Sequence, residues 1–205
     1  MCGRYVVFTD TEYDEIQSII DEVSKEYKTS ESIAKGEVFP TNTAPIIYEH
    51  KGKTVLTSMK WSYGQYSGRP IINARSETIN SKNMFQSSFH QRRCLIPANA
   101  YFEWKKEEDT KKKTKFKISI PQYELFFMAG IYNVFKDNNG KQYTGYAIIT
   151  TSANQTTASV HDRMPVIIEH GSEKLWIGQG SENTDPLIDM LKPYTYKDMI
   201  MNAVS

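Results

Sequence analysis

Cys2 is the residue whose type and position could do the most chemistry. It directly follows Met1. Aminopeptidases readily remove an initiator Met that precedes a small side chain, and removal would give Cys2 a free α-amine beside its thiol. That 1,2-aminothiol condenses with an aldehyde, the amine forming an imine and the sulfur closing it to a five-membered thiazolidine. An α-amine titrates near ~7.7–8.0 against ~10.4 for a lysine, so roughly a few hundred times more of it is neutral and nucleophilic near neutral pH. The thiolate is the reactive form of the sulfur, and its population follows local charge. Arg4 would favour it if its side chain turned back toward Cys2. The same residue also serves as a small buried hydrophobe, and position alone leaves both readings standing.

Three further stretches set chemistry-bearing residues at telling places. In Ile72-Asn73-Ala74-Arg75 the polar side chains alternate with apolar ones. Asn73 and Arg75 would then share one strand face, an amide and a guanidinium suited to a phosphodiester; a turn Asn and a surface Arg fit as well. Glu103 lies between Phe102 and Trp104. A carboxyl buried among aromatics has its pKa raised, which suits proton transfer near neutrality; period-two alternation would instead put it on the wet side of a strand. His161 stands with Asp162 and Arg163 just ahead of an apolar run. Imidazole moves protons well in this pH range, although a loop histidine is often incidental.

The elements that must hold these residues can be read from pattern. Tyr5 to Phe8 reads as a strand, and Thr9 with Glu12 opens a helix to about Lys28 with Ile16, Ile19, Ile20 and Val23 on one face. Residues 37–45 read as a loop stiffened by Pro40 and Pro45. Ile46–Tyr48 and Thr54–Trp61 read as a hairpin. The glycine-broken stretch 61–70 reads as a core Trp61 followed by a surface loop, or as an aromatic platform for stacking bases. Ser76 suits a helix N-cap, and a short helix is expected from Met84 to Gln91. Lys105 to Lys117 carries seven lysines and three acids, a solvated hairpin loop that would attract phosphates if it bordered the site. Lys115–Ile120, Leu125–Tyr132 and Tyr143–Thr151 read as strands, the last two joined by an Asp137–Gly140 turn. Short surface helices are expected at Ser172–Trp176 and Pro186–Lys192, and the tail from Tyr194 shows no motif.

Composition sets the bounds. The chain has 205 residues, 39% of them hydrophobic, and a net charge of +1, which fits one domain with one core and does not announce a nucleic-acid binder except through a local patch. No apolar run approaches the ~20 residues of a membrane span, and no secretory signal is visible, so a cytoplasmic protein with no membrane partner is expected. The two cysteines, Cys2 and Cys94, would stay reduced there. His50, His90, His161 and His170 do not fall at metal-ligand spacing, so neither a metal site nor a cofactor is expected.

Taken together and in order, Cys2-Gly3-Arg4, Asn73-Ala74-Arg75-Ser76-Glu77-Thr78, Cys94-Leu95-Ile96-Pro97-Ala98 leading to Glu103-Trp104, and His161-Asp162-Arg163-Met164-Pro165 resemble the SRAP family, the SOS response-associated peptidase or abasic-site processing proteins. The resemblance runs from residue 2 to about residue 168. It implies an α+β fold, a single compact domain over 1–205 with a mainly antiparallel, barrel-like β core and flanking helices, 169–205 being peripheral. It implies an enzyme-like repair protein, a monomer, that binds single-stranded DNA and captures abasic sites covalently through Cys2, with lyase and N-terminal autoprocessing activity. The catalytic set it implies is Cys2, Asn73, Glu103 and His161. Arg4, Arg75, Arg163 and Thr150 would meet phosphates, and Pro40, Trp61 and Trp104 would support DNA. The chain departs from the family pattern after Trp61, where Ser62-Tyr63-Gly64-Gln65-Tyr66 replaces a Gly-Leu-Ile-Pro-like segment, and at Ala100, which replaces a glycine. Two other classes fit the same residues: a non-covalent single-stranded DNA-binding module with an inert Cys2, and an N-terminal-nucleophile hydrolase.

Overall fold

The computed structural model describes residues 2–7, 34, 36–107, 112–123, 125–179, 184–195 and 199–204. The helix expected from Thr9 to Lys28 and the middle of the lysine run lie outside the described residues.

Fifteen strands are described: β1 (Tyr5–Val7), β2 (Gly36–Val38), β3 (Thr43–His50), β4 (Lys53–Lys60), β5 (Gln65–Tyr66), β6 (Arg69–Pro70), β7 (Asn73–Arg75), β8 (Arg93–Ala98), β9 (Ala100–Lys106), β10 (Lys113–Ser119), β11 (Phe126–Lys136), β12 (Gln142–Ser152), β13 (Arg163–Pro165), β14 (Ile167–Ile168) and β15 (Ile200–Val204). Three helices accompany them, α1 (Asn83–Gln91), α2 (Glu173–Ile177) and α3 (Asp185–Asp189).

Strands β12, β4, β3, β8 and β11 pair in a ring that β11 closes back onto β12, a five-stranded barrel. Only the β12–β4 seam within it is parallel, through the pair Gly145 and Lys60. A glycine is required there: a Cβ on Gly145 would lie 2.0 Å from the Ser62 carbonyl oxygen, so any side chain would force the seam open. Alternation on β12 sends Tyr146 and Ile148 into the interior cluster, with Cys94 and Ile96 of β8, and turns Ala147 and Ile149 outward, under Phe89 of α1 and Trp176 of α2. The fold is thus α+β, mainly antiparallel and barrel-cored, as the resemblance implied.

A second sheet, in the order β15-β10-β9-β1-β2, leans on the barrel. Two chain segments belong to both layers. The segment 93–106 leaves the barrel as β8 and enters the second sheet as β9, and 36–50 crosses as β2 and β3. The expectation of a loop over 37–45 is therefore corrected. Only its centre turns, where Thr41 takes a φ of 74°, and this turn is fastened to the strand end below by Thr41 N–H to Trp61 O at 2.9 Å and Trp61 N–H to Asn42 O at 2.8 Å. The tail likewise supplies β15, paired along β10. Ser76 does not cap a helix but opens a short 3-10 turn over Ser76–Thr78.

Candidate functional site

Cys2 precedes β1 at the junction of the two layers. It is fully buried, and its thiol points at the Arg4 carbonyl, 3.9 Å away. Its neighbours arrive from four elements. β7 lies parallel to β12 with Asn73 beside Ile148 and Arg75 beside Thr150, so Asn73 and Arg75 share a face while Ala74 is buried behind them. From that face Asn73 Nδ2 donates to the Cys2 carbonyl at 3.0 Å. Asn73 Oδ1 is buried and has no hydrogen-bond partner among the described residues, so it remains an acceptor for an incoming group.

Glu103 comes from β9. It is 2% exposed, which settles between the two readings of its alternation: it faces inward. Burial pushes its carboxyl up to about 7. Burial, then the negative charge of Glu103, raise the Cys2 thiol above its ordinary range. The sulfur is held as a thiol, not as a thiolate. Arg4 does not offset this, because its guanidinium turns away. It sits 4.1 Å from the centre of the Phe39 ring and 5.2 Å from that of Trp104, and pairs with Glu37 at 3.2 Å.

His161 faces Glu103 across a pocket of about 480 Å³ that Trp104, Lys105, Lys106 and Lys113 also line. Its Nδ1 lies 3.0 Å from the Arg163 N–H and 2.8 Å from Asp162 Oδ1. A nitrogen cannot accept from the amide and donate to the carboxylate at once. Burial lowers the His161 pKa, so the neutral ring prevails, with Nδ1 accepting from the amide and the proton on Nε2. The amide bond therefore fixes the tautomer.

A groove of about 900 Å³ opens on the Asn73 side, lined by Asn73, Arg75, Lys82, Tyr66, Met84 and Phe85 among others. Tyr66, at the tip of the β5–β6 hairpin, is 74% exposed. The segment Ser62–Tyr66, which departs from the pattern the resemblance implied, leads into this hairpin and supplies its first strand.

The structure brings Cys2, Asn73, Glu103 and His161 together around one junction, with Arg4 beside Trp104 on one side and Arg75 in the groove on the other; Pro40 lies half-buried in the turn that follows Phe39. Trp61 and Thr150 are fully buried and present no surface to a strand. Trp61 forms the floor, stacked on Tyr146 with centroids 6.3 Å apart, and its Nε1–H bonds the Ile72 carbonyl at 2.9 Å. Arg163 is clamped to Glu77, at 2.5 and 3.0 Å, and to the Thr150 carbonyl at 2.6 Å. The Glu77 clamp has no signal in the sequence, whereas the lysine run does border the site, the condition under which it was expected to attract phosphates. That placement could have been anticipated from strand β9, since Lys105 follows Glu103 by two residues.

Among the described residues no cluster of His, Cys, Asp or Glu could hold a metal ion, and no helix is long and apolar enough to cross a membrane.

Comparison with known proteins adds three findings. The model of the SOS response associated peptidase (SRAP) family matches residues 1–205. The abasic site processing protein YoqW of Bacillus subtilis is 30% identical over 217 residues, covering 100% of this chain and 92% of that protein, and the abasic site processing protein YedK of Escherichia coli is 29% identical over 182 residues, covering 87% and 80%. A crystal structure of a Bacteroides thetaiotaomicron protein superposes with a TM-score of 0.78 at 22% identity, covering 100% of this chain and 92% of that one, which shows a shared fold.

Proposed function

Because this chain belongs to the SOS response associated peptidase family, we propose that it processes abasic sites in DNA, by crosslinking Cys2 to the opened sugar in a single strand. The observation that carries this reading is the placement of Cys2 between Asn73, 3.0 Å from its carbonyl, and a buried carboxyl, Glu103, whose pKa of about 7 suits it to give and take a proton at neutral pH.

Loss of Met1, by an aminopeptidase or by the protein's own action, frees the Cys2 amine. An abasic deoxyribose opens to an aldehyde at C1. The amine lone pair attacks C1, water leaves, and a C=N bond results. Sulfur then adds to C1 while its proton passes to nitrogen, closing the thiazolidine. The net change is aldehyde plus aminothiol to thiazolidine plus one water. Amine attack comes first because burial holds the sulfur as a thiol. Asn73 fixes the direction of the amine through the Cys2 carbonyl. Glu103 protonates the departing oxygen and accepts the proton back. His161 offers Nε2–H to the hydroxyl freed when the sugar opens. An imine that persists acidifies the neighbouring C2 and permits elimination of the 3′ phosphate, a lyase side reaction.

Phosphates on either side are drawn by Lys105, Lys106 and Lys113 in one pocket and by Arg75 and Lys82 in the other groove. With a net charge of only +1, attraction is confined to these rims, which favours a single strand threading through the junction. A monomer suffices, since all four reacting and positioning groups come from one chain.

The test is a denaturing gel of the protein with an abasic single strand and with an undamaged one. A heat-stable, lesion-dependent band that Cys2→Ala abolishes supports the reading. A stable band from Cys2→Ala refutes ring closure by sulfur.

A further inference from the structure

Tyr101 is a buried hydroxyl that the mechanism above does not use. It stands on β9 two residues before Glu103, so both side chains leave the same face of the strand. Its cross-strand partner on β1 is Tyr5, three residues from Cys2. Tyr101 is 0% exposed and packs in the same interior cluster as Cys2. Its hydroxyl has no hydrogen-bond partner among the described residues. A buried hydroxyl left this way is costly, and Phe would fill the site at no such cost. The other two buried tyrosine hydroxyls nearby satisfy one another: Tyr5 and Tyr146 are bonded at 2.6 Å.

The surroundings of the hydroxyl say what it serves. Cys2 and Glu103 both act on it electrostatically, so the thiol and the carboxyl are its ionisable neighbours. Burial keeps the phenol protonated, so it is a permanent O–H donor. A donor is what the sulfur of Cys2 lacks as it gives up its proton in an environment that disfavours the thiolate.

We propose that Tyr101 is a positioning residue for ring closure, its Oη–H hydrogen-bonding the Cys2 sulfur as that atom loses its proton and adds to the imine carbon. No net proton leaves Tyr101. The S–H proton goes to the imine nitrogen, and the phenol only stabilises charge on sulfur during the transfer. The inference rests on the crosslinking reading given above.

Tyr101→Phe tests it, since the ring remains and only the hydroxyl goes. With Met1-free protein and an abasic single strand, borohydride added at intervals reduces and counts the imine, and a parallel series without it counts the heat-stable ring. The variant should form imine at a rate within about twofold of the parent, convert it to the ring about tenfold more slowly, and show that deficit shrinking as pH rises toward thiol ionisation. Its melting temperature should equal or exceed the parent's, so the loss is not one of folding. Equal ring-closure rates in variant and parent would overturn the assignment of Tyr101 alone. Absence of any trappable imine or ring in the parent would overturn the crosslinking reading and this inference with it.

Discussion

Asn73 Nδ2 lies 3.0 Å from the carbonyl oxygen of Cys2, across 71 residues of sequence. The bond holds the Cys2 carbonyl in place, and it is delivered by the parallel pairing of β7 on β12. Position in the fold thus fixes the Cys2 peptide, and under the proposed crosslinking reaction orientation of this kind would contribute a large rate factor.

Asn73→Ala removes that bond and the partnerless Oδ1 together. Crosslinking to an abasic strand should slow by about 10–100-fold, with affinity for an undamaged strand changed by less than about threefold. A binding assay beside a single-turnover adduct assay separates the two. Equal losses in both would make Asn73 a DNA contact, not a positioning group.

Glu103 makes stability fall as pH rises. Its folded pKa of about 7 exceeds the ~4.3 of an unfolded glutamate. Between those values the folded chain holds the extra proton, so stability is full below about pH 4 and is lost through pH 7. The whole swing is on the order of 3–4 kcal/mol. Glu103→Gln should flatten that slope, gaining stability at pH 8 and little at pH 5, while slowing adduct formation. Denaturant melts at the two pH values check it, and an unchanged slope would contradict the buried, elevated carboxyl.

The Glu77 carboxylate holds Arg163 at 2.5 and 3.0 Å, and the same pairing lowers the Glu77 pKa. Glu77→Gln should loosen the clamp and remove a negative charge near the strand. The dependence of single-strand affinity on salt should steepen by about 0.7 in log–log slope, the value for one added phosphate contact. A shallower slope would show that the clamp itself shapes the binding surface.

Arg93 is a structural counterpart. Buried between α1 and α2, it donates to the carbonyls of Phe89, His90 and Trp176 at 2.6–2.7 Å and to that of Gly178. One guanidinium thus closes the C-terminal ends of both helices. Arg93→Met should cost about 3–5 kcal/mol in urea unfolding without altering the pH profile of crosslinking in the protein that remains folded.

Much of this architecture was legible because it is local. The 46–61 hairpin, the strands 115–120, 125–132 and 143–151 and helix 84–91 follow from period, turn residues and β-branched content, and each is present with its ends moved by a few residues. What depends on distant partners was not legible. Pro40 and Pro45 suggested a loop, yet the segment is strand at both ends because β1 and β4 pair with it. The tail carries no motif, and becomes β15 only because β10 offers an edge. At the site, Glu103 could be read both ways from alternation, and only the barrel packed against the second sheet makes its face a buried one. Trp61 is the core residue that one of its two readings gave, but its place beneath the junction depends on Tyr5 and Tyr146 packing around it. Tyr101 carries one sequence signal, its two-residue spacing from Glu103, which places both on one strand face.

The measurement closest to the central claim is the intact mass of the protein before and after incubation with a single strand carrying one abasic site. The account predicts loss of Met1, then a gain equal to the oligonucleotide less one water, stable to heat. Protein free of Met1 that gains no mass would contradict it, leaving Cys2 as a buried thiol at the edge of a binding groove.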